Sequence, residues 1–281
     1  KIAAIGNKWD INESDLLEYI ANDPNTNAIA LYLEDIKDGR RFMKQCSKIA
    51  REKPIILIKS GKTEKCKKAI ISHTKSLAGN YKMIEAISKQ FGIITVEDFS
   101  EMWVISKCIL DQPIPKGNRI GIISVWGAGT VLSCDLSEKY NLEIPPLTSQ
   151  QIKKLRDIFP KFAWEDIYNP LDIWSAIEFV GPNNVYTSAG EAFLEENNID
   201  ILIYLIGAIK GIEFDLSIFN NFNKRFPEIP IYIGFFGGDK KILLEWKKIL
   251  EEKYNIPTFD SIKTILKAIS KLLIVKVHQY D

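Results

Sequence analysis

Short runs of aliphatic and β-branched residues recur along this chain, and longer segments of helical apolar spacing separate them. Few folds accommodate that alternation. Parallel strands buried on both faces read as unbroken apolar runs and their crossovers as amphipathic helices, so the rhythm predicts an α/β protein built on parallel sheets. In the first half the strands fall at residues 2–5, 28–33, 54–58 and 93–96, with helices over 16–21 and 42–50. The stretch Asp111-Gln-Pro-Ile-Pro-Lys-Gly-Asn118 carries two prolines and a glycine without periodicity and punctuates the chain. Beyond it the pattern restarts, with strands at 119–124, 201–205 and 229–233, a helical run at 131–140 and a closing helix at 262–273. The expected organisation is two flavodoxin-like, doubly wound parallel-sheet domains, 1–112 and 119–281, joined by a linker at 113–118.

With 281 residues, 46% of them hydrophobic, the chain can bury two ordinary cores. Its 37 basic and 36 acidic residues leave a formal net charge of +1, without the positive field that a nucleic acid or an anionic membrane surface attracts. Four cysteines stand far apart, with no spacing typical of a metal site, and read as reduced thiols. No apolar run reaches bilayer-spanning length and no secretion signal opens the chain, so a cytoplasmic protein is expected. Lys1-Ile-Ala-Ala-Ile-Gly-Asn7 reads as a strand entering a glycine turn with no leader, hence as the interior of a longer polypeptide.

Chemistry concentrates at strand ends. There are two histidines. His278 reads as part of a solvated tail. His73 lies in Ala69-Ile-Ile-Ser-His-Thr-Lys-Ser-Leu-Ala-Gly79, where small hydroxyl residues and a closing glycine let backbone N–H groups approach an anion. A neutral imidazole there can attack phosphorus; a hydrogen-bonded loop histidine is the competing reading. Ser60-Gly61-Lys62-Thr63 follows the strand at 54–58, but Ile56 stands where a Walker A loop needs glycine. Glu34, at the end of the strand at 28–33, can hold a histidine ring through one nitrogen and leave the other free, or simply be an exposed acid. Trp126-Gly-Ala-Gly129 offers glycines at a strand-to-helix turn, while Leu132 occupies the third glycine of a GxGxxG pattern. Gly207 and Gly237-Gly238 also follow strands and either complete that pocket or only turn the chain.

Taken together, Ser72-His-Thr-Lys-Ser-Leu-Ala-Gly79 and the preceding Lys59-Ser-Gly-Lys-Thr-Glu64 resemble the signature Ser-His-Thr-Gly-Ser-Leu-Ala-Gly of nucleoside-diphosphate-forming (ADP-forming) acyl-CoA synthetases, relatives of succinyl-CoA synthetase. The likeness extends over Gly6-Asn7, Glu34 with Lys37-Asp-Gly-Arg40, Pro115-Lys-Gly-Asn-Arg119, Asn169-Pro-Leu-Asp172 and Ile256-Pro-Thr-Phe-Asp-Ser261, essentially the whole chain. It implies a succinyl-CoA synthetase-like fold and a reversible reaction in which acid, CoA and ATP give acyl-CoA, ADP and phosphate by way of a phosphohistidine. Carried over residue by residue, His73 is the phosphoryl carrier, Glu34 the acid that steadies it, and Gly61, Thr63, Ser76 and Gly79 match positions around the phosphate. Lys75, a long cation beside the histidine that either holds phosphate or fills its space, and Gly127 and Gly129 at their strand-to-helix turn complete the expected phosphate-binding set. No tightly bound cofactor and no structural metal are implied. CoA, ADP or ATP, and phosphate are substrates, with Mg held on an ATP-grasp partner. That partner and a CoA-binding Rossmann domain lie outside this chain, a small carboxylic acid is the acyl donor, and the family habit is oligomeric.

Two departures accompany the likeness. Lys75 stands where the signature has glycine, and Val125-Trp-Gly-Ala-Gly-Thr130 replaces the family turn Asn-Gly-Gly-Gly-Pro-Gly. A regulatory or acyl-CoA-sensing module and an assembly scaffold therefore stand beside the enzyme as alternatives.

Overall fold

The computed structural model describes residues 1–66, 68, 72, 81–211 and 213–276, and divides into two compact units. The first comprises Lys1–Leu110 with Ile274–Asp281; the second runs from Asp111 to Leu273. Both are parallel sheets covered by helices, an α/β architecture.

In the first unit β1 (Ile29–Leu33), β2 (Ile55–Lys59) and β3 (Ile94–Val96) pair in that order, all parallel. Every residue of β2 is buried, as expected of an unbroken Ile-Ile-Leu-Ile run in the middle of a sheet. Ile29, Leu33, Ile55 and Leu57 pack against Leu17 of the helix Glu13–Ala21 and Phe42 and Cys46 of the helix Gly39–Ile49. Each such aliphatic side chain contributes roughly 1.5–3 kcal/mol relative to exposure.

Residues 2–5, expected as a strand, form none. Ile2 is fully exposed at 100%. β-propensity takes hold only where a ladder and a packed face are available. This segment is tethered instead through ions, Lys1 to Asp23 at 2.7 Å and Lys8 to Glu13 and Asp35 at 2.9 and 2.7 Å.

The second unit is a five-stranded parallel sheet of β4 (Ile120–Ser124), β5 (Leu171–Asp172), β6 (Ile201–Ala208), β7 (Ile231–Gly238) and β8 (Thr258–Phe259), in spatial order β5-β4-β6-β7-β8. Counted from β4 this is the flavodoxin order 2-1-3-4-5, with its switch point between β4 and β6. The two-residue strands β5 and β8 carry too little pattern to be read from sequence. β5 is placed by Asn169, whose Oδ1 accepts from Ile122 N at 3.1 Å while its Nδ2 donates to the carbonyls of Ile120 and Pro145 at 2.9 and 3.0 Å.

The segment 113–118, expected as a linker, belongs to the second unit. Gln112 just before it is 5% exposed. It donates to Asn223 Oδ1 at 3.2 Å and to the Asn255 carbonyl at 2.8 Å, and accepts from Ile231 N at 2.8 Å. Gly117 has no room for a side chain, because a Cβ would meet Asp200 Oδ2 at 2.0 Å.

No helix among the described residues is long and apolar enough to cross a membrane.

Candidate functional site

The carboxyl ends of parallel strands carry the turns in which open α/β sheets bind ligands. In the first unit those turns follow β1 and β2. Ser60 N extends the ladder to Leu33 O at 3.1 Å, so Glu34 and Ser60 leave the sheet side by side.

The turn after β1 is pinned from below. Lys8 Nζ donates to both the carboxylate and the carbonyl of Asp35 at 2.7 Å, and Glu13 Oε1 accepts from Lys37 N at 2.8 Å. The helices on either side are capped by Asn12, which takes Ser14 N at 2.8 Å, and Asp38, which takes Arg41 N at 3.0 Å. Glu34 thus projects from a turn with little freedom. Its Oε1 accepts from Tyr32 OH at 3.3 Å, while its Oε2 is sealed from solvent and has no hydrogen-bond partner among the described residues.

The turn after β2 begins at Lys59, which is 4% exposed. Its Nζ donates to the carbonyl of Glu34 at 2.7 Å and to that of Ser60. Burial lowers the ammonium's pKa from the ordinary lysine value, and Asp35 pulls in the opposite sense. Gly61 follows at φ +94°, left-handed backbone that favours glycine, and its N–H is turned onto Cys66 Sγ at 3.3 Å. Thr63 Oγ1 accepts from Cys66 N at 3.1 Å and so caps the helical turn that begins at Glu64. Thr63 is exposed, and its hydroxyl proton stays available to an acceptor.

Of the residues read from sequence, Glu34 and the loop Gly61–Thr63 therefore stand on neighbouring turns of one sheet edge. His73, Lys75, Ser76 and Gly79 lie outside the described residues. Lys59 was quoted within a motif and not as a site residue; its signal was a lysine closing an otherwise aliphatic strand.

In the second unit the helix Gly127–Lys139 starts where β4 ends. Ser124 Oγ accepts from Trp126 N at 3.1 Å and donates to Trp126 O at 2.8 Å, and Gly129 N donates to Trp126 O at 2.9 Å. Gly129 is buried against the sheet, where a Cβ would stand 2.7 Å from Ser124 Oγ. Its smallness serves packing. Gly207 lies under the Trp126 indole, with 2.1 Å between a hypothetical Cβ and the ring, and Phe236 flanks the same ring at 5.8 Å. Gly238 closes on the Ala208 backbone. The recess at the helix start, about 350 Å³, is lined by Val125, Trp126, Gly127, Asp172 and Trp174. Asp172 Oδ2 would lie 3.0 Å from a Cβ on Gly127. An anion approaching the N–H groups of this helix meets a carboxylate and two indoles, so the dipole's attraction is opposed there.

Comparison with known proteins sharpens the class. The succinyl-CoA ligase like flavodoxin domain matches residues 1–109. The chain is 31% identical over 272 residues to an acetate–CoA ligase [ADP-forming] II of Archaeoglobus fulgidus, covering 97% of this chain and 39% of that protein. It is 33% identical over 268 residues to the alpha subunit of the corresponding ligase of Pyrococcus furiosus, covering 92% and 56%. The structure superposes on acetyl-coenzyme A synthetase 1 of Ca. Korarchaeum cryptofilum, solved in complex with phosphate and ADP, with a TM-score of 0.84 and 27% identity over 99% of this chain and 59% of that one.

Fold and sheet-edge site thus define a succinyl-CoA ligase like α/β protein. The chain belongs to the ADP-forming acyl-CoA synthetase family. It spans from 39% to 59% of the length of these relatives.

Proposed function

We propose that this chain is the phosphohistidine-carrying part of an ADP-forming acyl-CoA ligase, in which acid, CoA and ATP interconvert with acyl-CoA, ADP and phosphate. The observation that carries the reading is the sealed Oε2 of Glu34 at the edge of the first sheet, which no described residue partners. A buried carboxylate oxygen without a donor costs free energy of order 1–3 kcal/mol, and an imidazole N–H removes that cost. Oriented in this way through one nitrogen, His73 attacks the phosphorus of an acyl phosphate with the other. The N–P bond forms, the P–O bond to the acyl carboxylate breaks, and the free acid leaves. In the second half a terminal oxygen of ADP takes the phosphoryl group and the imidazole is regenerated. Such transfer asks for alignment and charge neutralisation more than for a dedicated acid or base. CoA, nucleotide with its Mg, and a carboxylic acid are the substrates, and the CoA-binding and ATP-grasp parts come from outside this chain.

The test is chemical. The complete ligase, incubated with labelled ATP or acetyl phosphate, is expected to carry acid-labile, base-stable phosphate, and His73→Asn is expected to lose it. Equal labelling of the two proteins overturns the reading. A sensing module is the second reading, favoured by the Trp126 ring over Gly207 and by Asp172 at the helix start. It expects no label on either protein.

A further inference from the structure

Lys59 is a cation in an unusual setting. Long basic side chains normally keep their charge in water, and those that are buried normally meet a carboxylate. This one is 4% exposed, and its hydrogen bonds go to two backbone carbonyls, those of Glu34 and Ser60. Among the described residues no carboxylate comes within ion-pair distance of it, whereas Lys8, in the same region, holds both Glu13 and Asp35. An ammonium carries three N–H donors. Among the described residues two of them are used, by carbonyls at the carboxyl ends of β1 and β2.

Two consequences follow from that placement. First, the carbonyl of Glu34 is fixed to the end of β2, so the residue whose carboxylate oxygen lies sealed, with no partner among the described residues, is held at its backbone by Lys59. Second, a phosphoryl group brings negative charge to a sheet edge already lined by Glu34 and Asp35. A cation held at that edge opposes the added charge.

We infer that Lys59 is a positioning residue for phosphoryl transfer: it aims Glu34 by holding that residue's carbonyl, and it supplies the counter-charge to the phosphoryl group. This rests on the phosphohistidine reading above and extends it to a residue that does no bond-making. A plain structural staple makes a different prediction, since it needs the hydrogen bonds but not the charge.

The experiment uses the complete ligase, phosphorylated with labelled acetyl phosphate. Lys59→Met, which keeps the stem and removes both the charge and the donors, is expected to lower phosphohistidine yield and raise the KM for acetyl phosphate by roughly tenfold or more, the size of one charge-assisted hydrogen bond. Lys59→Arg is expected to recover a large part of that loss. In a Glu34→Gln background, Lys59→Met is expected to shorten phosphohistidine lifetime no further, because it acts on lifetime through Glu34. Lys59→Gln, which retains a donor without charge, separates the two roles and also serves should the methionine variant not fold: it is expected to lose yield as the methionine variant does, whereas wild-type yield and KM in it would leave Lys59 a staple. Wild-type yield and KM in the uncharged variant overturn the inference. So does a loss that arginine does not relieve and that tracks a fall in melting temperature. The phosphohistidine reading fails separately, through absence of acid-labile label on the wild type or its persistence in His73→Asn.

Discussion

At the scale of single residues, Glu34 illustrates how a turn can hold a carboxylate in an unfavourable place. Its backbone is tied to Lys59 and the neighbouring Asp35 to Lys8, so the turn that carries it is fixed, while its Oε1 accepts from Tyr32. Glu34→Gln is expected to leave folding intact, since the amide fits the same space. It is expected to shorten phosphohistidine lifetime by roughly tenfold, about the worth of a hydrogen bond to a charged group. An unchanged lifetime, measured by the decay of acid-labile label, would reduce Glu34 to a surface acid. Its place at the sheet edge was legible from sequence because it closes an aliphatic strand, the usual address of a ligand-facing group. Lys59 closes the next strand and was not singled out, because a lysine's burial depends on what packs over it and no local pattern records that.

At the scale of elements, the helix Gly127–Lys139 is built inside out. Gly129, Thr130, Ser133 and Ser137 are buried, while Val131 is 65% exposed and Leu132 47% exposed. The buried hydroxyls return to the helix's own carbonyls, Ser133 to Gly129 and Ser137 to Ser133, both at 2.6 Å. No polar group of theirs needs a partner on the sheet, and the small side chains let helix and strand lie close. Gly129→Ala would place a Cβ 2.7 Å from Ser124 Oγ and 3.2 Å from Leu205 Cδ1. Overpacking costs roughly 1–3 kcal/mol, against about 1 kcal/mol that alanine gains over glycine inside a helix. A net loss of up to ~2 kcal/mol in urea unfolding is expected, and a stabilised variant would contradict the packing argument. The sequence expectation for Gly127 and Gly129 is phosphate binding; the packing of Gly129 on Ser124 and Leu205 is a second demand on a small residue that no local pattern records. The long strands were legible from their aliphatic runs; residues 2–5 carried the same signal without a ladder to join.

At the scale of the molecule, both units place ionisable groups where only the neutral form is tolerated. Burial pushes the Cys46 thiol from 9.0 up to about 12, and it raises the phenols of Tyr186 and Tyr204 as well. For a group raised on folding, the native state keeps a proton that the unfolded chain has released. Its contribution is whole below the unfolded value and declines as pH climbs toward the folded one, by up to about 1.4 kcal/mol per pH unit per group. Unfolding free energy is therefore expected to fall from about pH 9 upward. Cys46→Ala is expected to show a shallower decline in denaturant titrations at successive alkaline pH values. Parallel slopes for the two proteins would show that the thiol ionises freely in the native state.

Gln112 bears on how this chain can be divided. Its side chain answers Ile231 N, Asn223 and the Asn255 carbonyl, three points on the far side of the second sheet's sequence. Anyone excising that sheet at the proline-rich stretch that looks like a natural seam would discard the peg that closes it. The piece that keeps its own fastenings begins upstream of the prolines, inside what reads on paper as the preceding domain.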